Sequence, residues 1–163
     1  AGKGGVFGDQ LHHLLSGIIG IIHGIAVVPD QPLSTHKARQ AIPQHIPHQD
    51  AVFNASRTAL YVGALMSGNY QYLNAALEDR LHQPYRIPLI TGTEAVFEAA
   101  KANGAYGAII SGAGSTLMAY ADPEKDCDII AAAMTDAFEK YGQRSTAHIL
   151  KLDFNGAREK EHS

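Results

Sequence analysis

In the first part of this chain of 163 residues, the hydrophobic positions predict one short strand followed by several helices. A short apolar run stopped by Pro29 is typical of a buried strand. Beyond it, apolar positions recur at helical spacings, and proline, glycine or asparagine interrupts them. Ser34 is the residue type that caps the start of a helix. The elements predicted here are a strand at 25–28 and helices at 34–41, 51–67 and 70–81.

The pattern changes after position 91, where helical stretches and short alternating stretches follow one another. Pro84 stands before this change and is expected to hold the chain extended. The elements predicted in the second part are a helix at 93–102, strands at 106–110 and 117–121, a helix from 122–123 to about 141, and a strand at 146–152. With the earlier strand they form a split β-α-β arrangement. The predicted fold class is therefore α+β, a ferredoxin-like sandwich with helices on one face of an antiparallel sheet.

Composition and charge exclude several classes of protein. Hydrophobic residues make up 45% of the chain, which is ample for the core of one domain and argues against disorder. The net charge of -3 gives no basic surface for nucleic acid. Cys127 is the only cysteine, so a reducing, cytoplasmic environment is expected. The apolar run at 14–28 is interrupted by glycines and polar residues, which favours neither a membrane span nor a signal peptide.

Two arginines and one glycine-rich turn carry the candidate chemistry. Arg39 lies near the end of the helix predicted at 34–41, and Arg86 follows Pro84, whose fixed backbone would orient the arginine reproducibly. Two guanidinium groups held in this way can grip one small carboxylate, because the guanidinium fork matches both oxygens. The turn at 111–116 contains two glycines that let backbone amides approach an anion. Together these features predict a site for a small charged metabolite and a phosphate.

Each of these features also has a purely structural interpretation. Arg39 is compatible with the exposed face of a short helix, and Arg86 with a loop ion pair that contributes little stability. The turn at 111–116 is compatible with a tight hairpin that needs positive backbone angles. Nine histidines invite a metal hypothesis, but none joins a cysteine or carboxylate cluster at ligand spacing. No metal site is therefore predicted.

Five segments, in one order along the chain, carry a resemblance to a known family. They are 28–30 (Val-Pro-Asp), 33–39 (Leu-Ser-Thr-His-Lys-Ala-Arg), 50–57 (Asp-Ala-Val-Phe-Asn-Ala-Ser-Arg), 78–86 (Glu-Asp-Arg-Leu-His-Gln-Pro-Tyr-Arg) and 111–116 (Ser-Gly-Ala-Gly-Ser-Thr). The chain resembles the carboxy-terminal half of the homoserine kinases. These belong to the superfamily of galactokinase, homoserine kinase, mevalonate kinase and phosphomevalonate kinase, abbreviated GHMP. The helix and strand predicted after 121 also fit this resemblance.

The resemblance implies roles for individual residues. Thr35 and Arg39 would hold the carboxylate of an amino-acid substrate, and their spacing of four places both side chains on one helix face. Arg86 would contact the same substrate, with Gly112 beside it. The glycine turn would support the nucleotide-binding loop, and its residues are Ser111, Gly112, Ala113 and Gly114. Further candidates for the cleft are Asp9, Gln10, Asn54 and Arg57. No catalytic residue is assigned.

The resemblance also implies an activity. Such enzymes transfer the terminal phosphoryl group of ATP, with Mg²⁺, to the hydroxyl of L-homoserine, giving O-phospho-L-homoserine for threonine biosynthesis. The family's Gly-Leu-Gly-Ser-Ser loop, which wraps the nucleotide phosphates, does not occur in this sequence, and Ser115 stands where the family usually has proline. Residues 1–24 are therefore interpreted as a remnant of an amino-terminal ATP-binding domain, and 25–163 as the carboxy-terminal substrate-binding domain. On this interpretation the missing region binds most of the ATP and Mg²⁺, and the isolated chain is expected to be inactive.

Two other functions remain open at this point. The same fold serves related small-molecule kinases, acting on mevalonate or a sugar alcohol, which need different anchoring residues. A split β-α-β domain also serves as a regulatory or dimerisation module that binds an amino acid without chemistry, and the expectation leaves room for a homodimer. Each alternative places the protein in the cytoplasm with small-molecule ligands, and with neither nucleic acid nor membrane as a partner.

Overall fold

The computed structural model describes residues 22–153. The strands are β1 (His23–Pro29), β2 (Gly107–Ile110), β3 (Leu117–Ala121) and β4 (Ser145–Lys151). The α-helices are α1 (Thr35–Gln40), α2 (His48–Ser67), α3 (Leu73–Ala76), α4 (Gln83–Arg86), α5 (Thr93–Ala102) and α6 (Cys127–Glu139), with 3₁₀ turns at Tyr70–Tyr72 and Ile87–Leu89. The predictions made for Asp9, Gln10 and the rest of 1–21 lie outside the described residues.

The four strands form one antiparallel sheet in the order β2-β3-β1-β4. β1 lies inside the sheet, where Ile25 pairs with Ala119 of β3 on one side and with Ile149 of β4 on the other. Helices connect β1 to β2 and β3 to β4, whereas β2 leads directly into β3. This is the split β-α-β arrangement, and the prediction of an α+β, ferredoxin-like fold is confirmed.

The larger apolar core lies between one face of the sheet and helices α5 and α6. Alternation along the strands turns Ile25 of β1 and Leu117 of β3 toward this core, where both are fully buried. Val96 of α5 and Phe138 of α6 belong to the same cluster and are also fully buried. Burying a side chain of this size contributes about 1.5–3 kcal/mol, so this layer is the main source of stability.

A second apolar cluster lies on the opposite face of the sheet, under α2, the turn Tyr70–Tyr72 and α3. Tyr120 of β3 faces this cluster, since it alternates with the residues that face the larger core. Gly107 of β2 pairs with Tyr120, and a Cβ there would lie 2.8 Å from Leu77 Cδ1 and 3.4 Å from Asn74 Cα. All helices were predicted on one face of the sheet, but α2 and α3 lie on the other face. The glycine in this edge strand leaves room for them.

The segment between α3 and α4 differs from the prediction in two places. The helix predicted at 70–81 ends at Ala76. It does not continue, because the Arg80 amide donates to the Asn54 side chain and the Leu81 amide to the Asp79 side chain, instead of to helical carbonyls. Pro84 was expected to hold the chain extended, but it lies in the first turn of α4. A helix needs no N–H group at that point, so proline is compatible with its start.

Three other elements begin two or more residues from their predicted starts, and one of them is α2, which begins at His48 and not at 51. The helix predicted from 122–123 begins at Cys127, where the carboxylate of Asp126 accepts the first free amides and caps α6. The preceding segment forms a turn instead, in which the Asp122 side chain accepts the Glu124 amide at 2.9 Å. β1 begins at His23, two residues before the strand predicted at 25–28.

Candidate functional site

A cavity of about 470 Å³ opens between α2, the segment from α3 to α4, and the end of β2. We refer to it as the α2–α4 cavity. Its volume is in the range that accommodates small-molecule ligands. The structure brings together here four of the residues predicted from the sequence, namely Asn54, Arg57, Arg86 and Gly112.

Arg86 connects three parts of the site. Its Nε donates to the carbonyl of Ala38 in α1 at 3.4 Å, and its Nη1 donates to the carbonyl of Gly112 in the glycine turn at 2.8 Å. A guanidinium carries five N–H groups, so these two contacts leave three for a ligand. The side chain is half-buried. Arg86 is therefore fixed by backbone acceptors and can still bind a carboxylate in the cavity.

Thr35 and Arg39 do not line the α2–α4 cavity. Both are exposed residues of α1, which Ser34 caps as predicted. Within residues 22–153 the Arg39 guanidinium makes no hydrogen bond or ion pair. The carbonyl of the adjacent residue, Ala38, accepts from Arg86, so α1 lies beside the Arg86 side chain. Joint binding of one carboxylate by Arg39 and Arg86 stays a prediction.

The glycine turn between β2 and β3 forms a tight hairpin. The Gly114 amide donates to the Ser111 carbonyl at 3.0 Å, so this amide is not free for an anion. Gly114 has a φ of 88°, and a Cβ there would lie 2.8 Å from Ile90 Cδ1, so only glycine fits without strain. The amides of Gly112 and Ala113 donate to no acceptor in the described part of the chain. Support of a nucleotide loop by this turn stays a prediction, with those two amides as its donors.

Asn54 and Arg57 reach the cavity from neighbouring turns of α2. The Asn54 side chain donates to Asp79 Oδ1, and its oxygen accepts the Arg80 amide at 2.9 Å. Arg57 Nη2 lies 3.4 Å from Glu78 Oε2. Arg57 Nε is buried and has no hydrogen-bond partner among the described residues. Asn54 therefore joins α2 to the segment before α4, whereas Arg57 keeps a donor free.

Asp79 is a site residue that the sequence analysis missed. Its Oδ1 accepts the Leu81 amide at 2.9 Å together with Asn54, and its Oδ2 accepts the His82 amide at 2.8 Å and that of Gln83. Burial alone would raise the pKa of Asp79, but the hydrogen bonds from Gln83, Leu81, Asn54 and His82 outweigh burial and lower the pKa. The signal in the sequence was an aspartate shortly before a proline that begins a helix.

Gln83, which was not predicted either, links α4 to the sheet. Its Nε2 donates to the Leu77 carbonyl at 3.1 Å, and its Oε1 accepts the Ile110 amide at 3.0 Å. β2 is an edge strand, so this amide has no strand partner on that side. Gln83 therefore holds α4, and Arg86 with it, against the end of β2.

The α2–α4 cavity presents charges of both signs. Arg57 and Arg86 are cationic, and Glu78 and Asp79 are anionic. The two carboxylates disfavour a polyanion, whereas a small ligand can still place one carboxylate on Arg86. Within 22–153 no three His, Cys, Asp or Glu residues lie close enough to hold a metal ion. No helix in the same range is long and apolar enough to cross a membrane.

Comparison with protein families and curated relatives gives consistent matches. The family model described as "GHMP kinases C terminal" matches residues 44–140. The homoserine kinase of Picosynechococcus sp. is 47% identical over 132 residues, which are 81% of this chain and 43% of that protein. The homoserine kinase of Persephonella marina is 42% identical over 136 residues, or 83% and 45%. This chain thus spans less than half the length of the curated relatives it matches.

Solved structures resemble the fold. A homoserine kinase from Cytophaga hutchinsonii superposes with a TM-score of 0.79 at 24% identity, covering 83% of this chain and 43% of that one. A phosphomevalonate kinase from Streptococcus pneumoniae superposes with a TM-score of 0.54 at 16% identity, covering 80% and 41%. At these identities both similarities bear on the fold alone.

Proposed function

This chain belongs to the GHMP kinase family, in which it corresponds to the carboxy-terminal region, and on that premise we propose that it carries the substrate-binding part of a homoserine kinase. The observation that supports this proposal is the sequence identity above 40% to homoserine kinases over more than 80% of the chain. The proposed setting is threonine biosynthesis in the cytoplasm, with L-homoserine and ATP as the ligands.

The proposed reaction joins the hydroxyl oxygen of L-homoserine to the γ-phosphorus of ATP. The bond from that phosphorus to the bridging oxygen breaks, ADP leaves, and the hydroxyl proton is released. Phosphoryl transfer depends mostly on positioning and charge neutralisation. The contribution of this chain is to hold the amino acid so that its hydroxyl points at the phosphorus, which raises the effective concentration of the nucleophile.

Arg86 is the proposed anchor for the substrate carboxylate. Its three uncommitted N–H groups are enough for a two-point contact with the carboxylate. Thr35 and Arg39 on the adjacent helix are proposed to approach the same carboxylate from the other side of the Arg86 side chain. Gly112, whose carbonyl holds Arg86, is proposed to lie beside the bound amino acid.

ATP and Mg²⁺ are proposed to bind mainly outside residues 22–153. ATP supplies the phosphoryl group, and Mg²⁺ neutralises charge on its phosphates. Magnesium prefers carboxylate and phosphate oxygens. In the described segment Asp79 is saturated by four hydrogen bonds and Glu78 is paired with Arg57, so neither fits a magnesium site.

The decisive experiment is a chimera. This chain replaces the matching region of the Picosynechococcus enzyme, and ADP production is measured with L-homoserine and with mevalonate. The proposal predicts turnover of L-homoserine at a rate near that of the parent enzyme, and no turnover of mevalonate. Turnover of mevalonate would support the related-kinase alternative instead.

A second measurement addresses the binding-module alternative. The 163-residue chain is titrated with L-homoserine and with ATP, and heat is measured by calorimetry. Binding of the amino acid alone would favour an amino-acid-binding module, provided that the chimera folds but is inactive. Our proposal predicts that the isolated chain binds L-homoserine weakly and phosphorylates nothing. Phosphorylation by the isolated chain would contradict it.

A further inference from the structure

We infer that Asp79 is a positioning residue for substrate recognition, because it fixes the α4 turn that directs Arg86 into the α2–α4 cavity. The inference rests on the proposed function for the identity of the substrate. It assigns to Asp79 no direct contact with that substrate. The segment 79–86 holds the Arg86 guanidinium in place.

The Asp79 carboxylate is surrounded by backbone and side-chain donors. Its side chain is only 13% exposed. The carboxylate accepts three consecutive backbone amides, at 81–83, and the side-chain amide of Asn54. A carboxylate normally has about four favourable acceptor positions, so this one is fully used. Asp79 therefore acts on the backbone that leads into α4 and is not available to a ligand.

Helix α4 is too short to be stable without contacts to the rest of the protein. It has four residues, and Arg86 is its last. Its helical hydrogen bonds run from Tyr85 and Arg86 to the carbonyl of His82, each at 3.2 Å, and from the Ile87 amide to the carbonyl of Gln83. Isolated helices of this length do not form by themselves, because nucleation is unfavourable. The conformation of α4 therefore depends on side-chain contacts that hold its start.

A series of contacts leads from Asp79 through Gln83 and α4 to Arg86. Asp79 fixes the amide of Gln83, and the Gln83 side chain holds the Leu77 carbonyl and the Ile110 amide. Three residues further on, Arg86 donates to two backbone carbonyls on separate elements. A displacement at the start of α4 would move the Arg86 guanidinium away from those acceptors. Misplacement by about 1 Å can reduce rates by roughly 100-fold.

Nuclear magnetic resonance of the 163-residue chain tests the inference without reference to activity. The Arg86 Nε–H signal is compared in the wild type, in Asp79→Ala and in Asp79→Asn. We expect the signal to shift and its protection from exchange to fall at least tenfold in Asp79→Ala, and less in Asp79→Asn, which keeps one accepting oxygen. Asp50→Asn is the matched control, because Asp50 of α2 pairs with Arg80 of the same segment at 3.3 Å and makes no hydrogen bond to α4 among the described residues. An unchanged Arg86 signal in a folded Asp79→Ala variant would overturn the inference.

Kinetics of the chimera then separate positioning from general stability. Asp79→Ala is expected to raise KM for L-homoserine roughly 10- to 100-fold, and KM for ATP by less than about twofold. In an Arg86→Ala background the same change should raise KM for L-homoserine by less than about twofold, because the two residues act as one unit. Asp79 would have a merely structural role if Asp79→Ala raised KM for L-homoserine by the same factor in the wild type and in Arg86→Ala. An equal rise in KM for ATP would show the same. Asp79→Asn gives the same comparison if Asp79→Ala does not fold.

The two proposals fail in distinguishable ways. If the wild-type chimera does not phosphorylate L-homoserine, the proposed function fails while the resonance experiment still decides the Asp79 inference. If the chimera is active but the Arg86 Nε–H signal does not change in the Asp79 variants, only the inference fails.

Discussion

Replacing Arg86 with alanine tests the carboxylate anchor most sharply. Two of its five N–H groups are bound to backbone carbonyls, so a carboxylate would use two of the remaining three. Hydrogen bonds that involve charged groups contribute about 1.5–3 kcal/mol each. Taking the lower value for a half-buried arginine gives a loss of about 3 kcal/mol in transition-state binding. That loss corresponds to a fall of roughly 150-fold in kcat/KM for L-homoserine.

The assay compares two substrates in the chimera. One is L-homoserine, and the other is 3-aminopropan-1-ol, which has the same hydroxyl and amine but no carboxylate. The Arg86→Ala change should lower kcat/KM at least tenfold more for L-homoserine than for the analogue, because only L-homoserine loses a partner. The kcat/KM of Arg86→Lys for L-homoserine should lie between those of the wild type and Arg86→Ala. One ammonium group cannot keep both backbone contacts and also bind a carboxylate at two points.

A structural cost accompanies this change and must be measured separately. At the same lower value, loss of the hydrogen bonds to Ala38 and Gly112 should reduce the free energy of unfolding by about 3 kcal/mol, which urea titration would detect. If the two substrates lose kcat/KM by the same factor, Arg86 merely supports the glycine turn and the reasoning is refuted.

Three further predictions concern stability, each measured by urea unfolding of the chain. Gly114→Ala should destabilise the chain by roughly 2–5 kcal/mol, because the positive φ costs about 1–2 kcal/mol and the added Cβ meets buried Ile90. The control is Gly112→Ala, whose Cβ meets no atom within 4 Å and which should lose only the free energy due to the positive φ. Equal losses in the two variants would contradict the packing argument. Gly63→Ala, on the exposed face of α2 with nothing within 4 Å, should stabilise by about 0.5–1 kcal/mol, and a loss would show that the space is not open. The pKa of Asp79 is lowered from 3.8 in the folded protein, so its ionised carboxylate contributes fully to stability above pH 3.8, and this contribution is lost as the pH falls through the folded pKa. The wild type should therefore be more stable than Asp79→Asn at neutral pH, by a difference that shrinks on acidification. A difference that does not depend on pH would refute the role of the ionised carboxylate.

Elements set by local pattern were predictable from the sequence. The bounds of β3 and α5 agree with the prediction, because alternation and helical spacing within each segment are sufficient to define them. The helix predicted at 70–81 failed for a non-local reason. Asn54, 26 positions away from Arg80, accepts the Arg80 amide that would have continued the helix. Local spacing contains no information on such a contact.

The candidate site was predictable in part for the same reason. Arg86, Asn54, Arg57 and Gly112 were identified from residue type and resemblance, and the fold brings all four to one cavity. Their geometric relation depends on Gln83, which bonds to Ile110 at a separation of 27 positions. Sequence reasoning therefore indicates which residue types suit the chemistry. The distances between them depend on tertiary contacts.

The most direct test of the account is a crystal structure of the chimera with bound L-homoserine. The account predicts the substrate carboxylate in the α2–α4 cavity, with both oxygens within about 3 Å of Arg86 nitrogens and the Arg39 guanidinium turned toward the same group. A carboxylate bound elsewhere, with the Arg86 guanidinium still confined to its two backbone carbonyls, would contradict it.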